Sequence, residues 1–337
     1  MGNRISRRSK ASVGGKSGDS GESVDFAADG GVTSTHSVPK FPEFPAFPIV
    51  KSEEELTRQR NEHFLLKHVF QKSYFAPVDA MLQRKDSNVV ILDYNGGYCC
   101  TWIVEMANDF PNAMCYGLNM FRVPEPEDFH HMPSNIHLDQ SNILQGGLGH
   151  STGSIDFIHQ RGMLHAYHGD DISFVMREMK RLLKPGGYLE LVEYDIVPKR
   201  AGPLYTKLMD CIHNYLKTRQ KHLFNGPRLR RFLEESGFQD IHYEYASIPA
   251  CWGGYMGKLM YENILMGIRH LGPVIYQELF HTDAEFDEAH FEEFIDKAFD
   301  ECVQYQTFSN VHWAYGRKPL LTTSSSITTT ITNTTIA

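Results

Sequence analysis

Apolar and polar positions along this chain follow two rhythms. Val89–Leu92, Met114–Leu118, Ile136-His137-Leu138, Ser154–Arg161 and Tyr188–Tyr194 are short, dominantly apolar runs rich in β-branched and aromatic residues. Runs of this length without strict alternation suit strands buried on both faces. Between them, apolar residues return at helical spacing. Trp102, Ile103, Met106 and Phe110 share one stripe, which Pro111-Asn112 closes. Ile172, Val175, Met176, Met179, Leu182 and Leu183 form another. Strands alternating with such helices predict an α/β fold with a parallel, doubly wound sheet.

The flanks extend this pattern. Glu53 to about Gln83 reads as helix, with Leu56, Phe64, Leu65, Val69 and Phe70 on one stripe. Ser52 with Glu55 has the form of a capping box, and Ala76-Pro77 breaks the segment into two helices. His63 and His68 read as surface or half-buried helix residues. Downstream, the spacing predicts helices over Leu204–Phe224, Arg228–Ser236, Lys258–Leu271 and Glu285–Cys302, and strands over Ile241–Ile248 and Val311–Pro319. Lys184-Pro185-Gly186-Gly187 predicts a helix stop with a left-handed glycine cap.

Composition narrows the class. The chain has 337 residues, is 41% hydrophobic and 22% charged, and carries a formal charge of −8. That balance fits a globular protein and argues against specific nucleic-acid binding, because an acidic surface repels phosphates. The 6 cysteines lack metal or framework spacing and read as free thiols in a reducing compartment. His165 and His168 beside Asp170 and Asp171 lack a full ligand set, so no metal is expected. No run is apolar and long enough to span a membrane.

Three segments follow from these shifts: a tail over 1–50, a domain over 51–320 and a Ser/Thr-rich tail over 321–337. The first tail is basic and then Pro/Phe-rich, ending in VPKFPEFPAFPIV, a linker-like strip or a docking segment for protein partners. Gly2 with Ser6 matches an N-myristoylation signal, and Arg4, Arg7, Arg8 and Lys10 supply attraction to anionic lipid. This predicts a cytoplasmic protein with two alternatives, peripheral membrane contact through residues 1–10 or a nuclear-import patch.

The first strand ends at Asp93, and Asn95-Gly96-Gly97 is turn chemistry leading into a helix. A ligand can sit there against a helix N-terminus. Asp93, Gly96, Gly97, Trp102 and Glu105-Met106-Ala107 resemble the cofactor loop of class I S-adenosylmethionine (SAM)-dependent methyltransferases. MREMKRLLKPGGYLELVEYD and the terminal YGRKP resemble the same family. NEHFLLKHVFQKSYFAPVDAML, SIDFIHQR and NGPRLRRFLEESGFQDIHYEYASIP resemble a fungal branch of it, which includes the velvet-complex regulator of secondary metabolism.

The resemblance spans about residues 53–319. It implies a seven-stranded, mostly parallel Rossmann-like sheet with a helical lead-in that covers the cofactor. It implies SAM as cofactor, bound by Asp93, Asn95, Gly96, Gly97, Asn119, Met120, Asn142, Ile143, His159, Gln160 and Arg161. Asn142 stands at the adenine position, though an asparagine there also caps turns. Arg161 pairs equally well with an acid at the sheet edge. His159, Glu193 and Tyr194 are the candidate bases for the methyl acceptor. The chain departs from the family at Tyr98, Cys99 and Cys100, where glycines are usual, and at Asn119, where an acid is usual.

Three functions compete on these residues. One is a SAM-dependent methyltransferase acting on a small molecule or protein. Another is an inactive methyltransferase-like regulator or interaction partner. A nicotinamide oxidoreductase is disfavoured, since no G-x-G-x-x-G follows the first strand.

Overall fold

The computed structural model describes residues 52–86, 89–94, 96–120 and 132–320. Gly2, Asn95, the tails at 1–50 and 321–337, and most of the loop after the second strand lie outside the described residues.

The sheet order is β3-β2-β1-β4-β5-β7-β6. Strands β1 (Val90–Tyr94), β2 (Met114–Asn119), β3 (Ile136–Gln140), β4 (Ile155–Arg161) and β5 (Leu183–Tyr194) pair in parallel. β6 (Gln239–Pro249) and β7 (Phe308–Arg317) form an antiparallel edge, with β7 inserted beside β5. The chain starts at β1, runs outward to β3, then crosses back to β4. β1 and β4 are therefore neighbours whose connections leave in opposite directions, and such a switch point opens a crevice at the strand C-termini. The expected sheet is present, and every predicted strand exists with shifted ends.

One face of the sheet packs on α4 (Gly169–Leu182) and α6 (Leu229–Glu235), with Leu92, Ile158, Leu189 and Leu191 pointing into that core. The opposite face packs on α3 (Thr101–Asp109) through Ile91, Cys115 and Phe157. It also packs on α1 (Glu53–Phe70) and α7 (Tyr255–Phe280) through Val192, Val311 and Trp313. α5 (Pro203–Thr218), α7 and α8 (Glu288–Gln304) share a separate apolar core around Leu208, Leu271, Ile275, Ile295 and Phe299. The segment between β6 and β7 thus builds a helical layer against α5.

Several predicted boundaries need correction. The lead-in helix stops at Phe70, where Gln71 turns left-handed, and only a short α2 (Asp79–Leu82) follows Pro77. Ser52 caps α1 through Glu55 N–H at 3.1 Å, but the Glu55 carboxylate turns to Arg58 and Gln59 instead of closing the box. Lys184-Pro185-Gly186-Gly187 is not a helix cap. α4 ends at Leu182, and those four residues belong to β5. Gly186 adopts φ +85° inside the strand, where its N–H donates to Lys318 O and Gly187 O accepts from Lys318 N–H. The left-handed glycine serves a β-bulge against β4, not a helix end. α7 runs through Gly272-Pro273 for two further turns, because its apolar face continues to Leu279.

Candidate functional site

Side chains at the C-terminal ends of β1, β2, β4 and β5 converge beneath α1. Asp93 is the last residue but one of β1, and its Oδ1 lies 3.0 Å from Nδ1 of His159 on the neighbouring β4. Both are buried. A carboxylate only accepts, so Nδ1 carries the proton and the Nε2 lone pair is free to act. Burial pulls the His159 pKa down, and this outweighs the upward pull of Asp93. The imidazole is neutral at pH 7. Trp102, in the first turn of α3, stacks on the imidazole at 3.9 Å between centroids and 10° between planes. The Trp102 indole N–H donates to Ser73 O, so the ring that holds His159 is itself held.

Gly96 and Gly97 form the turn above Asp93. Gly97 adopts φ +75°, and a Cβ there would strike the Gln59 amide of α1. Cys100 caps α3 in the left-handed region at φ +46°, where glycine is usual. This carries a strain of about 1 kcal/mol. Its thiol turns down toward Gly117, Ile103 and Leu138, into the core between α3 and the sheet. The Cys99 thiol points the other way and donates to Leu56 O of α1 at 3.2 Å. Asn119, at the end of β2, donates from Nδ2 to Gly97 O at 3.0 Å and contacts the Cys100 sulfur at 3.4 Å. Its Oδ1 is buried with no protein partner, as is Oδ2 of Asp93.

The helix α1 is bound to this loop as well as packed on it. Buried His63 Nε2 lies 2.9 Å from Glu105 of α3, Lys67 pairs with the same carboxylate at 2.8 Å, and Ser73 Oγ donates to it. Burial alone would raise the Glu105 pKa, but these three bonds outweigh it and hold the group at about 2. His63 is therefore a buried residue joined to Glu105, not the surface or half-buried residue its helix position suggested. Behind α1, Glu190 of β5 accepts from Phe75 N–H and Ala76 N–H, each at 2.7 Å. Burial pushes its pKa up to about 7 against those bonds. The cleft between these groups is lined by His63, Trp102, His159, Arg161 and Glu190 and holds about 20 Å³. That is room for about one water-sized group.

The remaining candidates are dispersed. Arg161 lies near Glu62 of α1 without closing an ion pair, and Glu62 also feels Arg58. Gln160 points to the opposite face and accepts from the Tyr167 hydroxyl at 3.2 Å. Glu193 Oε1 accepts from Met163 N–H and Leu164 N–H at 2.9 Å each, so it holds the loop after β4. Burial, then Glu62, raises the Tyr194 phenol far above its ordinary pKa, which makes it a poor base at neutral pH. Asn142 accepts from Leu144 N–H at 3.0 Å and caps its own turn. Ile143 N–H donates to the Tyr94 hydroxyl at 2.9 Å, and Met120 is buried. Sequence reasoning passed over Gln59 and Tyr94. Only the helical stripe of α1 and the last position of β1 pointed to them.

A family model described as a methyltransferase domain matches residues 65–243, more than half of the chain. The chain belongs to this methyltransferase family. The match covers every parallel strand and the Asp93–His159 pair. Similar curated proteins are fungal. The secondary metabolism regulator laeA of Coprinopsis cinerea is 26% identical over 58% of this chain and 51% of its own length. The N-methyltransferase verN of Clonostachys rogersoniana is 25% identical over 59% of this chain and 68% of its own. The match thus spans about half the length of the laeA relative. Among solved structures, phosphoethanolamine N-methyltransferase 2 of Haemonchus contortus with S-adenosylhomocysteine aligns over 81% of this chain and 62% of its own, at 18% identity and a TM-score of 0.45.

Proposed function

We propose that this methyltransferase uses SAM as methyl donor and His159 as the base that prepares the acceptor. The observation that carries the reading is the Asp93–His159–Trp102 arrangement at the β1–β4 switch point. Two buried, partnerless acceptors support the cofactor assignment. Asn119 Oδ1 stands where a ribose hydroxyl would donate, and Asp93 Oδ2 stands beneath the glycine turn. Buried acceptors of this kind cost free energy until a donor reaches them. Gly96, Gly97 and the N-terminus of α3 would hold the amino-acid end, and Asn119 the ribose. The cofactor supplies a methyl group made electrophilic by a sulfonium.

The rest of the chemistry belongs to the chain. Asp93 fixes the His159 tautomer, and Trp102 fixes its plane. Nε2 then takes the proton from an acceptor N–H or O–H as its lone pair is used. Holding acceptor and base in line supplies most of the remaining acceleration. α1 excludes water from the cleft. Its ties to Cys99 and Glu105 must loosen for ligands to enter. The N-methyltransferase relatives favour a nitrogen acceptor.

The second reading is a methyltransferase-like regulator without turnover. It is favoured by one contact: the Asn119 amide is already engaged by Gly97 O and the Cys100 sulfur. Calorimetry separates the two. Saturable micromolar SAM binding, weakened about ten-fold by Asn119→Ala, supports the enzyme. No binding up to millimolar SAM rejects it.

A further inference from the structure

Glu190 and His159 are register partners on the neighbouring parallel strands β5 and β4. Side chains at such a pair leave the same face of the sheet about 4.8 Å apart. Both line the cleft beneath α1. Glu190 is fully buried and uses one of its oxygens, since Oε2 accepts from Phe75 N–H and Ala76 N–H at 2.7 Å each. Oε1 is buried with no partner in the protein. Such an oxygen costs free energy until a donor reaches it. His63 lines the same cleft. In the tautomer that donates from Nε2 to Glu105, its buried Nδ1 is another unused acceptor. The basic groups nearby leave these acceptors open. Lys67 is paired with Glu105 at 2.8 Å, and Arg161 lies near Glu62. Lys72 is exposed and pulls on Glu190 less than the two backbone N–H groups do.

We propose that Glu190 is the recognition residue for the methyl acceptor, and that this acceptor is a primary amine. The inference rests on the reading of His159 as base. Glu190 Oε1, His159 Nε2 and His63 Nδ1 border a cleft of about 20 Å³, room for one water-sized group. A primary ammonium is a group of that size with an N–H for each acceptor. A hydroxyl offers one hydrogen, and a tertiary ammonium is both larger and limited to one. One N–H proton passes to His159 Nε2. The freed nitrogen lone pair bonds the methyl carbon as the S–C bond breaks, and the sulfur keeps that bond's electron pair. The products are a secondary ammonium, S-adenosylhomocysteine and one proton, which His159 returns to solvent. Glu190 takes no proton in this step and holds a remaining N–H in a charge-assisted bond.

The test titrates the isotope-labelled full chain with methylammonium chloride and follows the Phe75 and Ala76 amide signals by NMR. Those amides report on the Glu190 carboxylate without any turnover. Both should move saturably with methylammonium and stay still with tetramethylammonium chloride or methanol. Glu190→Gln should weaken the response about ten-fold, raise KM for primary amines by a similar factor and keep SAM affinity within about two-fold. Amides that ignore methylammonium mean that Glu190 holds a buried water only, and the proposal fails. It also fails if folded Glu190→Gln binds methylammonium as the wild type does. The wild-type titration decides the question even if that variant does not fold. SAM binding with unmoved amides overturns the amine site alone, whereas methylammonium binding without SAM binding keeps the amine site and overturns the methyltransferase reading.

Discussion

Asp93 and His159 sit 66 positions apart in sequence and 3.0 Å apart in space, carboxylate oxygen to Nδ1, because β1 and β4 are paired neighbours. Asp93 orients the ring without charging it. His159→Asn should keep SAM affinity within about two-fold and lower methyl transfer by about 10²–10⁴-fold. An NMR titration of the imidazole should give a midpoint below the ordinary 6.5, with Nδ1 protonated. The unfolded state then binds more protons than the native state below pH 6.5, and His159 makes the fold lose stability as pH falls through that range.

Asn119 is an asparagine for a reason that the loop supplies. Its amide donates to Gly97 O, and an aspartate has no donor to replace it. Asn119→Asp should therefore destabilise the protein by about 1–3 kcal/mol. It should not restore tighter cofactor binding. Urea denaturation with parallel SAM calorimetry checks both parts.

Glu105 anchors α1 from α3. With its pKa at about 2 against an ordinary 4.5, its contribution is present above pH 4.5 and is lost as pH falls toward 2. Glu105→Gln should cost about 2 kcal/mol at pH 7 and flatten that acid limb. Hydrogen exchange should show the amides of 55–70 opening faster in the variant.

Glu190 works with the opposite sign. Its folded pKa is about 7, above the ordinary 4.5, so the native state binds more protons than the unfolded state between those values. Stability therefore falls as pH rises from about 4.5 to 7, by an amount on the order of 2–3 kcal/mol. Glu190→Gln retains an oxygen for Phe75 and Ala76 N–H and removes the ionisation. It should be more stable than wild type at pH 8 and nearly equal at pH 5, by urea midpoints.

The contrast between His63 and Asp93 shows how far the residues alone could lead. Asp93 was legible because it closes an apolar run and precedes glycines, a local pattern. His63 was not, since nothing within α1 announces that its ring will meet Glu105 of another helix. Glu193 shows the same limit. Its position at a strand end suggested chemistry, and only the fold shows that its Oε1 accepts from two backbone N–H groups of the loop after β4.

Hydrophobic spacing by itself determined the strands, the helices that alternate with them and the doubly wound class, because periods of 2 and 3.6 are local properties of the backbone. The motif glycines and Asp93 marked the crevice for the same reason. Only the tertiary structure decided which polar groups meet there. Sheet pairing brought Asp93 to His159, the α3 start laid Trp102 on that ring, and packing of α1 closed the cleft through Gln59, His63 and Lys67. It also turned the two loop thiols, Cys99 toward α1 and Cys100 into the core. Those directions depend on contacts between segments distant in sequence, and burial sets the proton affinities of the groups they enclose.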